Sequence, residues 1–243
     1  MAQPRAVDRA ALAGLEAEIT ACRRCPRLVE WRERVARDKV ARYADEPYWG
    51  RPLPGFGDPG ARVLIVGLAP AAHGGNRTGR VFTGDRSGDF LWTALHETGF
   101  ADRASSRRAD DGLTLTDAWI AAAVRCAPPL NKPTNAERDA CAPFLVRELA
   151  LLGNVRVIVP LGGFGWDAVL RMVAALGHPV PRPKPRSGHG AEVEIGPYQL
   201  VASFHPSQQN TFTGRLTAPM LAEVMARAAA LASRPDRHTL MPA

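Results

Sequence analysis

Short apolar segments that alternate with helical ones constrain the fold of this chain more than any other feature of its sequence. Residues 62–68 (RVLIVGL) and 155–161 (VRVIVPL) are rich in β-branched residues and bounded by loop-forming residues, which is typical of strands buried on both faces of a parallel sheet. Further strands are predicted at 119–124, 192–195 and 199–203. Because strands and helices alternate, the sequence predicts an α/β fold, a three-layer α/β/α sandwich with a mostly parallel central sheet.

Helical spacing and helix-start signals place the other elements. Leu12, Leu15 and Ile19 lie at helical spacing, and Thr134 and Glu137 have the spacing of a capping box. The predicted helices cover 8–22, 26–39, 87–98, 134–152, 164–176 and 216–232. Glycine and proline interrupt the segments between them, which are therefore predicted to be loops.

The chain length limits how many domains the chain can form, and the strand order indicates where a site would lie. A chain of 243 residues suits one domain over 1–243, with a mobile tail at 234–243. In open α/β sheets, ligands bind beyond the carboxyl ends of the strands. The loops that follow Leu68, Val124 and Ser203 are therefore predicted to face one site.

The charge of the chain favours a polyanionic partner. The formal net charge is +7 and the isoelectric point is about 9.8, so that nucleic acid is the obvious candidate. However, lysine occurs only at 39, 132 and 184, and a GC-rich coding sequence also produces an arginine-rich chain. No apolar run approaches the length of a membrane span, and the first residues lack the apolar core of a signal peptide. We therefore expect a cytoplasmic protein that does not contact a membrane.

The four cysteines have a spacing that can form one closed site. Cys22 and Cys25 are followed, after a gap of about a hundred residues, by Cys126 and Cys141. Disulfides are disfavoured in the cytosol, which leaves a zinc ion or an iron-sulfur cluster. The long spacing of the second pair favours the cluster over zinc, and four unrelated buried thiols are the remaining alternative. A shared site would tie the N-terminal helices (8–40) to the loop after Val124.

Three separated motifs resemble those of one enzyme family. Residues 67–85 (GLAPAAHGGNRTGRVFTGD) and 205–210 (HPSQQN) resemble the two active-site motifs of family 5, the type-b iron-sulfur uracil-DNA glycosylases. The resemblance extends over 125–131 (RCAPPLN) and all four cysteines, so that it covers most of the chain. It implies a [4Fe-4S] cluster held by Cys22, Cys25, Cys126 and Cys141, and an enzyme that removes deaminated bases from DNA.

The resemblance assigns roles to four side chains of the predicted site. Asp85 matches the catalytic carboxylate, which would orient a water or stabilise the oxocarbenium-like sugar. His205 would donate a hydrogen bond to the departing base, Asn131 would belong to the active site, and Phe82 would stack on the extruded base. The alternatives are an N-cap for Asp85, a structural histidine, an Asx turn for Asn131 and an ordinary core phenylalanine.

The resemblance also predicts which residues line the pocket and which bind DNA. The pocket would be lined by Gly67, Ala69, Ala71 and His73. Phosphate contacts are expected from Asn76, Arg77, Arg80 and Arg86. The loop that enters the duplex would contain Ser207, Gln208, Gln209 and Asn210. Solvated surface is the alternative for the DNA-contacting residues.

Two differences between this chain and related or alternative enzymes narrow the predicted activity. Uracil-specific glycosylases carry an aspartate and a tyrosine where this chain has Ala71, Ala72 and His73, so that we expect a roomier pocket for uracil, hydroxymethyluracil and hypoxanthine. No lysine lies in the motifs, which disfavours a lyase that forms a Schiff base. The prediction is a monomeric, monofunctional DNA glycosylase. The runner-up is a non-catalytic iron-sulfur module that binds DNA lesions, and an electron-transfer protein is third.

Overall fold

The computed structural model describes residues 7–234, and a mixed sheet lies at its centre. The strands are β1 (Phe56–Gly57), β2 (Val63–Gly67), β3 (Ala118–Ala122), β4 (Val157–Pro160), β5 (Glu192–Ile195) and β6 (Tyr198–Val201). Within the described range their order across the sheet is β1-β3-β2-β4-β6-β5. The inner pairs β3–β2, β2–β4 and β4–β6 are parallel, whereas β1 and β5 pair antiparallel at the two edges. The prediction of a mostly parallel central sheet is therefore confirmed.

Helices cover both faces of this sheet. They are α1 (Arg9–Ala21), α2 (Pro26–Asp38), α3 (Gly75–Thr78), α4 (Arg86–Glu97), α5 (Asn135–Leu151), α6 (Gly162–Ala175), α7 (Gln208–Phe212) and α8 (Ala218–Ala232). Side chains of β2 alternate between the faces: Val63 and Ile65 pack with α4 and α8, while Leu64 and Val66 pack with α5 and α6. The two apolar layers on opposite faces confirm the three-layer sandwich.

The N-terminal helices pack beside the sheet. Leu15 and Ile19 of α1 contact Phe144 of α5, and Leu28 of α2 packs with Val124 after β3. The expected tail at 234–243 lies outside the described residues except for Arg234. Between residues 7 and 234, no helix is long and apolar enough to cross a membrane.

The structure differs from the sequence prediction inside two loops. The segment 43–61, predicted to be irregular, contributes β1, in which Gly57 approaches β3 so closely that an added Cβ would lie 2.3 Å from the Ala118 carbonyl oxygen. The short helix α3 lies inside the motif at 67–85, and α7 begins inside the motif at 205–210 and ends two residues beyond it. The capping box of α5 is confirmed, because Thr134 and Glu137 bond to each other's backbone N–H groups.

Candidate active site

The loops that follow β2 and β6 meet at the carboxyl edge of the sheet. The Phe82 ring covers Gly67, the last residue of β2, where an added Cβ would lie 2.7 Å from both Cε2 and Cζ. The same ring faces His205, with 6.1 Å between the ring centroids and an angle of 33° between the planes. The fold therefore brings together an aromatic face and an imidazole that are far apart in sequence.

The backbone of Phe82 is held firmly. Its carbonyl oxygen accepts a hydrogen bond of 2.6 Å from Nε1 of the buried Trp92, and an added Cβ on Gly88 would lie 1.9 Å from that oxygen. Phe82 itself has a φ of 50°, a left-handed conformation that bulky residues rarely adopt without surrounding constraints. The half-buried ring is thus presented at a fixed position.

His205 has a buried ring nitrogen available for a ligand. Nε2 has no hydrogen-bond partner among the described residues, although a buried polar atom usually has one. Burial lowers the pKa of His205 to about 4, so that the imidazole is neutral at neutral pH. The main chain is held by Asn210, whose amide nitrogen donates to the His205 carbonyl oxygen over 2.8 Å.

Asp85 has two neighbours on opposite sides of its carboxylate. Oδ1 accepts a hydrogen bond of 2.9 Å from the Gly88 backbone N–H, which makes Asp85 the N-cap of α4. Oδ2 faces Gly74, where an added Cβ would lie only 2.0 Å away. Burial raises the pKa of Asp85, and the backbone N–H groups of Gly88 and Ser87 act in the opposite direction. The capping role is therefore real, and the same carboxylate borders the loop after β2.

Tyr48 was missed by the sequence analysis. Its hydroxyl lies 3.0 Å from Nδ1 of His73, and the two rings meet edge to face. Burial lowers the pKa of His73, and the charges of Arg77 and Arg42 lower it further. A tyrosine within a loop rich in glycine and proline carries no periodic signal, so its partner could not be read from the sequence. Ala69 and Ala71 are partly buried in the same loop.

Asn131 lies apart from these contacts. It is exposed and, like Leu130, has a positive φ, 55° and 54° respectively. No hydrogen bond or ring contact recorded for residues 7–234 joins its side chain to Phe82, Asp85 or His205. The backbone turns tightly here, because the N–H groups of Asn131 and Lys132 donate to the Pro128 and Pro129 carbonyl oxygens, and both a catalytic role for Asn131 and an Asx turn stay predictions.

Three of the four residues predicted to grip phosphates are buried, so this prediction is wrong for them. Asn76 is fully buried, and its amide donates to the Arg32 carbonyl oxygen over 3.2 Å. Arg80 is 5% exposed and is bonded to Ser106 and Asp111. A buried guanidinium that is already paired cannot reach a phosphate on the protein surface.

Arg77 is also buried, and its donors serve the loop itself. Nε donates to the His73 carbonyl oxygen over 2.8 Å, and Nη2 donates to the Gly84 carbonyl oxygen over 3.1 Å. Nη1 forms an ion pair with Glu46, and the guanidinium lies 3.9 Å from the centre of the Tyr43 ring. The sequence showed an arginine in a polar loop and gave no sign of these partners.

The remaining DNA-contact candidates lie at the surface or hold the loop. Arg86, Gln208 and Gln209 are exposed, whereas Ser207 is half-buried. The sequence analysis missed Phe212, which is 66% exposed and has the Arg86 guanidinium 5.2 Å from its ring centroid. Because α7 directly follows the His205 loop, this exposed aromatic lies on the same loop as the candidate site.

The four cysteines lie near one another. Cys22 caps the end of α1, Cys25 caps the start of α2, Cys126 follows β3 and Cys141 lies within α5. The pKa of Cys126 is raised to about 12, mainly by burial and also by the charges of Cys141 and Cys22, while Arg32 acts in the opposite direction. Burial likewise raises the pKa of Cys25, as do Cys141 and Cys22. Their thiols are therefore close enough to influence one another's ionisation.

Apolar and charged side chains both surround these thiols. Leu28 and Val124 pack with Cys126 and Cys141, and Nη1 of Arg32 donates to Cys126 Sγ over 3.3 Å. In the part of the chain that the structure describes, no three His, Cys, Asp or Glu side chains are arranged to hold a metal ion. The choice between a zinc ion and an iron-sulfur cluster therefore stays a prediction.

Comparison with known proteins identifies the family. The family model of the uracil DNA glycosylase superfamily matches residues 54–229. The type-5 uracil-DNA glycosylase of Mycobacterium tuberculosis is 54% identical over 220 residues, which are 90% of this chain and 81% of the relative. The enzyme of the same name from Mycobacterium leprae is 53% identical over 222 residues, covering 90% of this chain and 94% of the relative. The Thermus thermophilus type-5 enzyme is 52% identical over 217 residues, covering 88% and 95%. The chain therefore belongs to the uracil-DNA glycosylase superfamily, and it is a glycosylase enzyme of that family.

Proposed function

We propose that this protein is a monofunctional DNA glycosylase that hydrolyses the N-glycosidic bond of uracil, hydroxymethyluracil and hypoxanthine in DNA and so initiates base-excision repair. The observation that carries the proposal is the facing pair of Phe82 and His205 at 6.1 Å, with the Asp85 carboxylate three residues along the same loop. Together they supply a face for a base, a hydrogen bond for its leaving charge and an anion for the sugar.

The aromatic face selects an extruded nucleotide. A base that leaves the duplex loses its stacking, and an aromatic side chain restores a stacking energy of about 1–3 kcal/mol. Phe82 suits this role because its backbone is fixed by Trp92 and Gly88. The ring does not need to be ordered when the base arrives.

His205 stabilises the leaving base as a hydrogen-bond donor. Its low pKa means that the neutral imidazole carries one N–H, and the unpartnered Nε2 is the atom that can present this proton to a base carbonyl. As the bond from C1′ to the base nitrogen breaks, its electron pair passes to the base, and the hydrogen bond spreads the resulting negative charge.

Asp85 acts on the sugar side. Loss of the base leaves C1′ oxocarbenium-like, and a nearby carboxylate stabilises that positive charge. Water then adds through its oxygen to C1′ and gives up one proton to solvent, while the departing base anion takes up one proton from solvent, so that the products are the neutral free base and an abasic site. Because Gly88 donates to Oδ1, the carboxylate is held in one orientation while Oδ2 remains directed at the loop.

Small residues line the proposed pocket and favour a broad substrate range. Gly67 lies under the Phe82 ring, and Ala69 and Ala71 contribute no more than a methyl group each. Only Ala71 and Ala72 directly precede His73, which favours space for the 5-hydroxymethyl group of hydroxymethyluracil and the second ring of hypoxanthine. His73 is held by Tyr48 at the side of this pocket.

The DNA contact is proposed to run across the exposed loop that contains Ser207, Gln208 and Gln209, together with Arg86. Asn210 contributes indirectly, because its amide is committed to the His205 backbone. Phe212 adds an exposed ring beside Arg86, and an apolar or aromatic side chain of this kind can fill the space that an extruded nucleotide leaves. Asn131 would approach the site only with DNA bound.

We further propose a [4Fe-4S] cluster held by Cys22, Cys25, Cys126 and Cys141. The fit rests on Cys25, Cys126 and Cys141, which pack together with Leu28 and Val124, on the charge of Cys22, which raises the pKa of those three thiols, and on the Arg32 N–H directed at Cys126 Sγ. The four cysteines would hold the cluster through their thiolates. It would supply a structural crosslink that joins α1 and α2 to the segment after β3.

A direct test uses duplexes that contain uracil, hydroxymethyluracil, hypoxanthine or only normal bases. Strand cleavage is expected after alkali treatment of the three damaged duplexes, and none is expected without alkali. Cleavage before alkali would contradict a monofunctional glycosylase, and intact duplexes throughout would support a binding module. For the cluster, the purified protein is expected to be brown and to contain iron and acid-labile sulfide in equal amounts. Colourless protein with stoichiometric zinc would contradict it.

A further inference from the structure

One buried arginine contacts the loop on both sides of the proposed catalytic carboxylate. Arg77 donates to the His73 carbonyl oxygen at 2.8 Å and to the Gly84 carbonyl oxygen at 3.1 Å. His73 precedes Gly74, whose Cα faces Asp85 Oδ2, and Gly84 directly precedes Asp85. A single planar guanidinium therefore fixes the two backbone segments between which the Asp85 carboxylate lies.

The charge of Arg77 is kept in place by groups that do not bind substrate. Glu46 forms an ion pair with Nη1, and the Tyr43 ring lies against the guanidinium at 3.9 Å. The Arg77 side chain is 6% exposed, whereas the Glu46 side chain is 45% exposed. A buried cation with one partner at the surface acts strongly on nearby buried groups, because solvent screens it little.

We propose that Arg77 is a positioning residue for Asp85, which holds the backbone on both sides of the carboxylate and favours its ionised form. This inference rests on the proposed function, because it assigns Arg77 a role only if Asp85 acts as an anion. An arginine suits the position better than a lysine, since its fork can reach two carbonyl oxygens and a carboxylate at once.

The charges that act on Asp85 come from α4 and α3, and the charge on α3 is in turn offset by Glu46. Within α4, Asp89 raises the pKa of Asp85, and the backbone N–H groups of Ser87 and Gly88 lower it. From α3, Arg77 lowers the same pKa, and Glu46 is the anion that offsets the charge of Arg77. Burial, the largest cause, raises the pKa, so the loss of a favourable cation should be visible in the pH dependence of base release.

The test measures the single-turnover rate of uracil release from duplex DNA, at saturating enzyme, as a function of pH. The acid-side midpoint is the pH at which the rate has fallen to half of its maximum. In the Arg77→Gln protein we expect this midpoint at a pH about 0.5 higher than in the wild type, which is less than the change of roughly 1–3 that a directly adjacent opposite charge makes to a pKa. In the Glu46→Gln protein the midpoint is expected at a lower pH, because the charge of Arg77 is no longer offset. In Arg77→Lys the midpoint should remain close to that of the wild type, although the maximal rate falls.

The matched control is Arg80→Gln. Arg80 is buried in the same segment and paired with Asp111, and it is not one of the groups that chiefly shift the pKa of Asp85. Its loss should lower the melting temperature without moving the midpoint. Equal midpoints in wild type, Arg77→Gln and Glu46→Gln would overturn the inference, and if Arg77→Gln fails to fold, Glu46→Gln decides alone. If the wild-type protein releases no uracil at any pH, the proposed function fails instead, and the two failures are distinguishable.

Discussion

Gly74→Ala gives the sharpest test of where the Asp85 carboxylate acts. The added methyl carbon would lie 2.0 Å from Asp85 Oδ2 and 2.8 Å from Cγ, whereas non-bonded heavy atoms rest about 3.5 Å apart. The carboxylate or the loop must therefore retreat by more than an ångström. Misplacement of a reacting group by about 1 Å can lower a rate about 100-fold, which corresponds to about 2.7 kcal/mol in the barrier.

The assay is the single-turnover rate of uracil release, measured together with the affinity for the same duplex. A rate about 100-fold lower with nearly unchanged affinity is expected, because Gly74 does not lie on the exposed DNA-facing loop. Gly14→Ala is the matched control, since no atom lies within 4 Å of the added carbon. Its rate should equal that of the wild type.

A double variant separates displacement of the carboxylate from general damage to the loop. Asp85→Ala alone should remove most activity and weaken the start of α4 by about 1 kcal/mol through loss of the N-cap. In that background, Gly74→Ala should destabilise the protein less than it does in the wild type, because the colliding group is gone. A wild-type rate in Gly74→Ala would refute the reasoning, as would fully additive losses of stability.

Three further outcomes are expected. Gly67→Ala would place a carbon 2.7 Å from the Phe82 ring; it should raise the KM for uracil-containing duplex and reduce base release, and unchanged kinetics would argue against stacking. Burial raises the pKa of Asp85 and lowers that of His205 to about 4. The single-turnover rate should therefore fall as the pH drops through the Asp85 pKa. A second decrease of the rate near pH 6.5, the ordinary histidine pKa, would contradict a neutral His205. Phe212→Ala should weaken duplex binding about tenfold, as loss of one stacking contact does, and equal dissociation constants would remove Phe212 from the DNA surface.

The fold could be predicted because its signals are local. The apolar segments that became β2 and β4 are short and continuous, and the Thr134–Glu137 pair marks the start of α5 without help from tertiary contacts. β1 could not be predicted, because a two-residue strand that contains a glycine has no periodicity. It forms only because the neighbouring strand β3 offers it a pairing edge.

The site was predicted in part, and the errors have one physical origin. The sequence placed Phe82 and His205 together, since motifs that follow parallel strands share one edge of the sheet. It mistook Arg77 and Arg80 for phosphate ligands, because burial depends on partners such as Glu46 and Asp111 that are about 31 residues away in sequence. Tyr48 and Phe212 were missed for the same reason: exposure and contact across loops leave no mark on composition.

The attachment of Phe82 to the buried core has a consequence for how the substrate range of such an enzyme can change. Because Trp92 donates a hydrogen bond to the Phe82 carbonyl oxygen, the position of the Phe82 ring cannot change without disturbing the interior of the domain. The opposite wall of the proposed pocket, formed by Ala71 and His73, is held through its backbone, because Gly74 and Asn76 donate to the Ala71 carbonyl oxygen and Arg77 donates to that of His73, whereas the Ala71 methyl group can be exchanged without loss of a hydrogen bond. New base preferences should therefore arise by exchange of side chains on that wall, while the ring beneath the base stays where it is.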